Sequence, residues 1–162
     1  MTMDFKCISL TGGGYAIVDR EDYDYLVRWK WKNKNGYATR NALVAGKWRE
    51  LRMHRVVLGV YDDMWVDHIN FDRLDNRKSN LRAATPSQNA MNRRVQVVNT
   101  SGYKGVIWHK KQQKWNAVIE VNGKKNYVGA FTDKEEAARA YNEAALKLFG
   151  EFACLNTVSN AH

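Results

Sequence analysis

Apolar and polar positions alternate along the first part of the chain. Ile8–Thr11 and Ala16–Asp19 flank a Gly-Gly-Gly-Tyr turn, which predicts a short β-hairpin over residues 8 to 19. The aromatic-rich run 21 to 31 reads as a short helix or turn. Residues 36 to 53 alternate again and predict two strands joined around Ala45 and Gly46, followed by a short helix from His54 to Val60. Trp29, Trp31 and Trp48 read as core or packing residues. The tetrapeptide 74 to 77 has turn composition. Thr85 is a good N-cap, Pro86 sits where a missing N–H costs nothing, and Gln88 completes a capping box, so a helix is expected from Pro86 to Arg94.

After a linker-like stretch at 99 to 102 the pattern changes. Three strand-like runs, 105 to 108, 114 to 121 and 125 to 131, precede one long helical run. Asn122-Gly123 joins the last two runs as a hairpin signal. Thr132 with Glu135 forms a second capping box, and Gly150 is a natural stop. Ala137, Tyr141, Ala144, Ala145 and Leu148 share one helical face, which is expected to pack on the three strands. The fold class is therefore α+β, with domains expected at 1–97 and 98–162.

Charge sharpens this picture. Residues 76 to 132 hold eleven Lys or Arg and one acid, Glu120, so this block carries the whole excess of a chain whose net charge is +9. Such a block fits a polyanion, and nucleic acid above all. No apolar run approaches the roughly 20 residues of a membrane span, nor is there a signal-peptide core near the N-terminus, so a cytoplasmic or nucleoid location and no membrane partner are expected. Cys7 and Cys154 form no metal-binding pair and read as small core residues.

The chemistry concentrates in residues 66 to 89. Breaking a phosphodiester needs a deprotonated water, a neutralised phosphate and a stabilised leaving oxygen. His68 can serve as a base near neutral pH. Asp67 brings a carboxylate, and Asn89 brings an amide oxygen at a helix start, where phosphate is favoured. Neighbouring strand residues point to opposite sides, so Asp67 and His68 meet on one phosphate only at a strand end or where strand geometry breaks. Arg77, Lys78, Arg82, Arg93 and Arg94 are candidate phosphate contacts. Asn76 reads as a turn former.

The run from Asp67 to Asn89 resembles the HNH endonuclease family, especially its phage and intron-encoded homing enzymes. The resemblance implies a ββα-metal (His-Me finger) core on a β-rich N-terminal scaffold. It implies His68 as general base, Asn80 as the asparagine that ties the hairpin loop and orients His68, and Asp67 and Asn89 as metal ligands. Asn89 stands where many relatives have His, and an amide oxygen suits Mg²⁺ or Mn²⁺. His54 falls in a Met-His-Arg element of these proteins, with a structural or DNA-contacting role expected. The first sixty residues resemble, more diffusely, the segment ahead of the hairpin in such phage proteins, implying a scaffold and further DNA contacts.

Residues 103 to 156 resemble the plant Apetala-type, ethylene-response-factor DNA-binding domain, through YKGV, KWNAVI, VGAF, EEAARAYNEAA and the closing Leu-Asn. In that domain a three-stranded antiparallel sheet packed on one helix lies in the major groove. Carried over, Lys104, His109, Lys111, Lys114, Lys125 and Tyr127 face DNA, while Trp115, Ala117 and Ile119 face the helix. Trp108 is open between stacking and packing. Plant domains place arginines at several positions held here by Lys104, Ile107, His109, Glu120 and Lys125, so their recognition sequence does not transfer.

The expectation is a metal-dependent DNA endonuclease of mobile-element type, acting on double-stranded DNA as a monomer or homodimer and leaving 5′-phosphate and 3′-hydroxyl ends. The alternative is a non-catalytic, sequence-specific DNA-binding regulator. An RNA-binding module is disfavoured, because no aromatic RNA-recognition motif is present.

Overall fold

The computed structural model describes residues 4–60, 64–92 and 99–158. The chain divides into two compact units, the first ending at Pro86 and the second starting at Ser87.

In the first unit β1 (Phe5–Thr11) and β2 (Tyr15–Asp19) form the expected antiparallel hairpin. Helix α1 (Arg20–Leu26) follows, and β3 (Trp31–Lys34) then runs parallel to β1. The aromatic run 21 to 31 is thus a helix that ends before Trp31. β4 (Tyr37–Val44) and β5 (Lys47–Arg52) complete a five-stranded sheet of order β2-β1-β3-β4-β5. Helix α2 (Met53–Leu58) ends at Gly59, whose left-handed φ of 65° accepts the turn that a side chain would strain. Ile8, Leu10, Ala16, Val18, Leu26, Trp31, Ala38 and Met53 form the core. β6 (Trp65–His68) and β7 (Leu81–Ala84) make a separate antiparallel pair. Among the described residues no helix is long and apolar enough to cross a membrane.

Two expectations, buried cysteines and packed tryptophans, fail in part here. Cys7 is exposed on β1 because Ile8 and Leu10 take the inward positions, and Cys154 is only partly buried in the other unit. Trp31 is buried as expected. Trp29 is half-buried, edge-on to Tyr25 and 4.2 Å beneath Arg40. Trp48 is 74% exposed, because it sits near the tip of the β4–β5 hairpin, beyond the reach of the core.

The second unit contains α3 (Pro86–Met91, whose first residue closes the preceding unit), β8 (Val106–His109), β9 (Lys114–Val121), β10 (Lys124–Phe131) and α4 (Lys134–Phe149). The part of the expected α3 beyond Asn92 lies outside the described residues. The three strands form an antiparallel sheet of order β10-β9-β8, and α4 packs on it. The helix cap is Asp133 rather than Thr132: its carboxylate accepts from the amides of Glu135 and Glu136, at 2.7 and 2.9 Å. A charged acceptor at the positive end of the helix outcompetes a hydroxyl one residue earlier. The buried stripe is Ala137, Ala138, Tyr141, Ala145 and Phe149, with Leu148 outside it at 53% exposure. The inward face centres on Tyr141 and Ala145, and a step of about 100° per residue carries Phe149, four residues past Ala145, under the sheet.

Gly105 is where this packing is tightest. Its φ is +72°, and a Cβ there would lie 2.2 Å from the Tyr141 ring and 2.6 Å from the Val118 carbonyl. Gly105→Ala is expected to destabilise the chain by about 2 kcal/mol or more, through both backbone strain and overpacking. Urea unfolding monitored by circular dichroism checks this, and an unchanged midpoint would contradict the packing.

Candidate functional site

The β6–β7 pair sets Asp67 opposite Arg82 and His68 opposite Leu81. Both Asp67 and His68 are buried at 6% exposure. The strand stays regular at this point, so the two side chains leave on opposite sides. On one side Arg82 Nε and Nη2 donate to Asp67 Oδ2 at 2.9 and 2.6 Å. On the other, the His68 ring lies edge-on to His54 at 5.0 Å and tilted to Tyr37 at 6.1 Å.

The loop from Ile69 to Asn80 is built by polar side chains. Asn80 Oδ1 accepts from the Asn70 amide at 2.9 Å, and Asn80 Nδ2 donates to the Asp75 carbonyl at 2.8 Å. One amide thus holds both halves of the loop. The backbone amide of Ile69 donates to the Asn80 carbonyl, and that of Phe71 to the His68 carbonyl. Phe71 adopts a left-handed φ of 66°, which an aromatic residue adopts only under constraint. Asn70 Oδ1 and Asp72 Oδ1 each accept from the amide two residues on, two successive Asx turns. The loop is also pinned to the five-stranded sheet. Ile17 N donates to Leu74 O at 2.8 Å, Asn76 N to Ile17 O at 2.7 Å, and Lys78 N to Asp19 Oδ2 at 2.7 Å.

Electrostatics follow from burial. Asp75 is 2% exposed. Its burial alone would raise the carboxyl, but Arg77, with Nε at 2.8 Å and Nη2 at 2.7 Å, holds it below the ordinary carboxylate value. Burial pushes the His68 imidazole below its usual value, against the pull of the Asn76 amide and of Asp67, Asp72 and Asp75. His54 is pushed down to about 3, first by burial and then by His68, Arg52 and Arg55. The site therefore holds two neighbouring imidazoles that both favour the neutral form. Arg52 and Arg73 each lie 4.8 Å from the Tyr37 ring centroid beside them.

The candidate phosphate contacts of the first unit all carry acidic partners in this fold. Arg77 holds Asp75, Arg82 holds Asp67, and Lys78 Nζ reaches Glu21 and, at 3.1 Å, Asp22. Arg93 and Arg94 lie outside the described residues. In the second unit Asn89 is half-buried on α3. Lys104 Nζ donates to the Met91 carbonyl at 2.7 Å. His109 Nδ1 accepts from the Gln112 amide at 3.2 Å. Lys111, Lys114, Lys125 and Tyr127 are exposed. Trp115, Ala117 and Ile119 join the core under α4, and Trp108 packs on Trp115 with ring centroids 4.9 Å apart.

Among the described residues no group of three or more His, Cys, Asp or Glu is placed to hold a metal ion. Of the two expected metal ligands, Asp67 offers a carboxylate in the first unit and Asn89 an amide oxygen in the second. A hard cation such as Mg²⁺ uses one or two protein oxygens completed by substrate phosphate and water, so this donor chemistry fits such an ion.

Sequence reasoning gave His54 a structural or DNA-contacting role, and passed over Tyr37, Arg73 and Asp75. Only the start of α2 after β5 hinted at His54. The others approach His68 through sheet pairing and loop docking, which leave no local pattern.

Residues 52–91 match the family described as HNH endonuclease, and residues 101–151 match the AP2 domain. The chain is similar to an uncharacterized HNH endonuclease, L560, of Acanthamoeba polyphaga mimivirus, with 32% identity over 95% of this chain and 81% of the relative. It is similar to Protein 3.8 of Escherichia phage T7, with 33% identity over 55% of this chain and 73% of that protein. An AP2-like ethylene-responsive transcription factor of Arabidopsis thaliana, At1g16060, shares 32% identity over 59% of this chain, which covers 27% of that factor.

The buried His54 makes a pH prediction. Its folded value lies near 3 and its unfolded value near 6.5, so the unfolded chain binds the proton first. Stability is then full above about pH 6.5 and falls as pH drops toward about 3. Urea midpoints are expected to fall between about pH 7 and about pH 4, and to fall less in His54→Gln. Equal slopes for the two proteins would mean that the imidazole is not held neutral.

Proposed function

The chain belongs to the HNH endonuclease family and carries an AP2 domain behind its HNH segment, and we propose that it is a metal-dependent endonuclease that cuts double-stranded DNA. The observation that carries this reading is the Asp67–His68 pair at the end of β6, beside a loop clamped by Asn80. A base and an oxygen ligand on consecutive residues reach one phosphate when that phosphate lies across the strand end.

In this reading His68 takes the proton from the attacking water, and Asn80 fixes the backbone that carries it. A divalent cation, Mg²⁺ or Mn²⁺, would be held by Asp67 and Asn89 and would supply charge neutralisation at the phosphate and the departing 3′-oxygen. Arg82, donating twice to Asp67 Oδ2, holds that carboxylate in place when no DNA is bound. The products are 5′-phosphate and 3′-hydroxyl ends. With one such site a monomer nicks, and a double-strand break takes a dimer or two events. The AP2 sheet, through Lys111, Lys114, Lys125 and Tyr127, binds the same duplex, with lysine favouring phosphate contact over forked readout of guanine. Relatives in a giant virus and a phage are in keeping with a mobile-element or homing role.

The burial of His68 against His54 and Tyr37 favours one other reading, a non-catalytic DNA-binding protein that retains the hairpin as scaffold. Cleavage of supercoiled plasmid with Mg²⁺ separates the two. His68→Ala is expected to bind DNA near normally and to cut at least about a hundredfold more slowly than wild type. Wild-type protein that binds and never cuts would establish the regulator instead.

Binding is also expected to weaken steeply between about 50 and about 200 mM salt, because each phosphate contact releases counterions. Fluorescence anisotropy with a labelled duplex measures the slope, and a flat response would remove the basic surface from the account.

A further inference from the structure

The β4–β5 hairpin carries an apolar tip with no partner in the first unit's core. Leu43 pairs across the strands with Trp48, and the two are 61% and 74% exposed. A cross-strand aromatic–aliphatic pair usually stabilises a sheet by covering a core, yet this pair is left in water. The hairpin that carries it is basic. From Tyr37 to Arg52 the hairpin holds Arg40, Lys47, Arg49 and Arg52 against one acid, Glu50. Glu50 is already taken by Lys34 at 2.7 Å. Arg40 lies over Trp29, which leaves Lys47, Arg49 and Arg52 as exposed cations along the hairpin.

The geometry links this tip to the candidate active site. Strand residues two apart share a face, so Tyr37, Thr39, Asn41 and Leu43 lie in one row, with Trp48 opposite Leu43. At the base of the row, the Tyr37 ring is 6.1 Å from the His68 ring and has Arg52 and Arg73 beside it. Six residues at about 3.3 Å place the tip about 20 Å from that base, or about six base pairs of duplex.

We infer that the β4–β5 hairpin is a DNA-binding arm, with Leu43 and Trp48 an apolar wedge that enters a groove and presses on bases about six pairs from the scissile phosphate. Arg52 and Arg73 guide the backbone at the base of the arm, and Lys47 and Arg49, which alternation puts on the opposite face of the ribbon from the wedge, meet phosphates on its other side. An apolar wedge carried by a basic two-stranded ribbon suits minor-groove proteins that unstack a base step while holding the phosphates on either side. A second copy of the chain is a poorer occupant, since docking two such arms opposes like charges. The inference rests on the reading of the first unit as a DNA-cutting module.

The test uses the full chain and generic duplex DNA carrying 2-aminopurine, whose fluorescence rises on unstacking. Leu43→Ser/Trp48→Ser is expected to lose the fluorescence rise and about tenfold in affinity, the loss of one stacked base. Plasmid cleavage is expected to fall in step with binding. Trp48→Phe, which keeps a ring, is expected to restore most of the signal. His68→Ala is expected to keep the signal while losing cleavage, which separates the arm from the chemistry. A double-serine variant that binds, unstacks and cuts like wild type would overturn the arm and leave the nuclease reading intact. A wild type that never cuts would remove the nuclease reading, and the binding and fluorescence measurements would still decide on the arm. A wild-type dimer in solution that the double-serine variant abolishes, with DNA binding unchanged, would make this surface a self-interface and overturn the inference.

Discussion

The first unit depends on one side chain that is neither apolar nor charged. Asn80 donates through one end of its amide and accepts through the other, and so closes the loop that follows His68. Leu74 packs against the apolar core, but most of the loop is polar, and its backbone groups would be stranded if it were buried without partners. Asn80 and Asp75 satisfy those groups locally, and Arg77 neutralises Asp75. Fixing the loop also fixes the end of β6, because the amides of Ile69 and Phe71 are tied to the Asn80 and His68 carbonyls.

The loop does not stand alone. Its hydrogen bonds to Ile17 and Asp19 place it on the edge of the five-stranded sheet, at strand β2. The apolar core of Ile8, Leu10, Val18, Leu26, Trp31 and Met53 therefore supports the site from a distance. Hydrophobic burial holds the sheet, the sheet positions β2, and β2 holds the polar loop. Damage to that core should reach His68 through displacement of the loop, with no contact to the imidazole needed.

The environment of His68 shows two opposed effects. Burial beside His54 and Tyr37 favours the neutral ring, while Asp67, Asp72 and Asp75 favour the charged one, and burial wins. In the proposed reaction a neutral imidazole is ready to accept a proton, and the carboxylates nearby would stabilise the imidazolium once formed. Asp67, on the other side of the strand, is paired with Arg82 at 2.6 Å.

Much of this was legible in the sequence because it is local. The β1–β2 and β4–β5 hairpins, helix α2, the three strands of the second unit and the long helix over them all follow from alternation, turn residues and capping. The run from Asp67 to Asn89 pointed to its chemistry for the same reason: spacing and residue type are written in one segment. What only tertiary structure decided is which local option wins when two are close, and which distant residues meet. Asp133 displaced Thr132 as cap because charge outweighs a hydroxyl at a helix start, and Phe149 displaced Leu148 because helical phase is set by what the sheet covers. Trp48 looked like a packing residue and lies in water, since side-chain chemistry alone cannot say where a hairpin outruns its core. The contact of His68 with His54 and Tyr37 comes from three elements far apart in sequence, and only the folded chain brings them within a ring's width of one another.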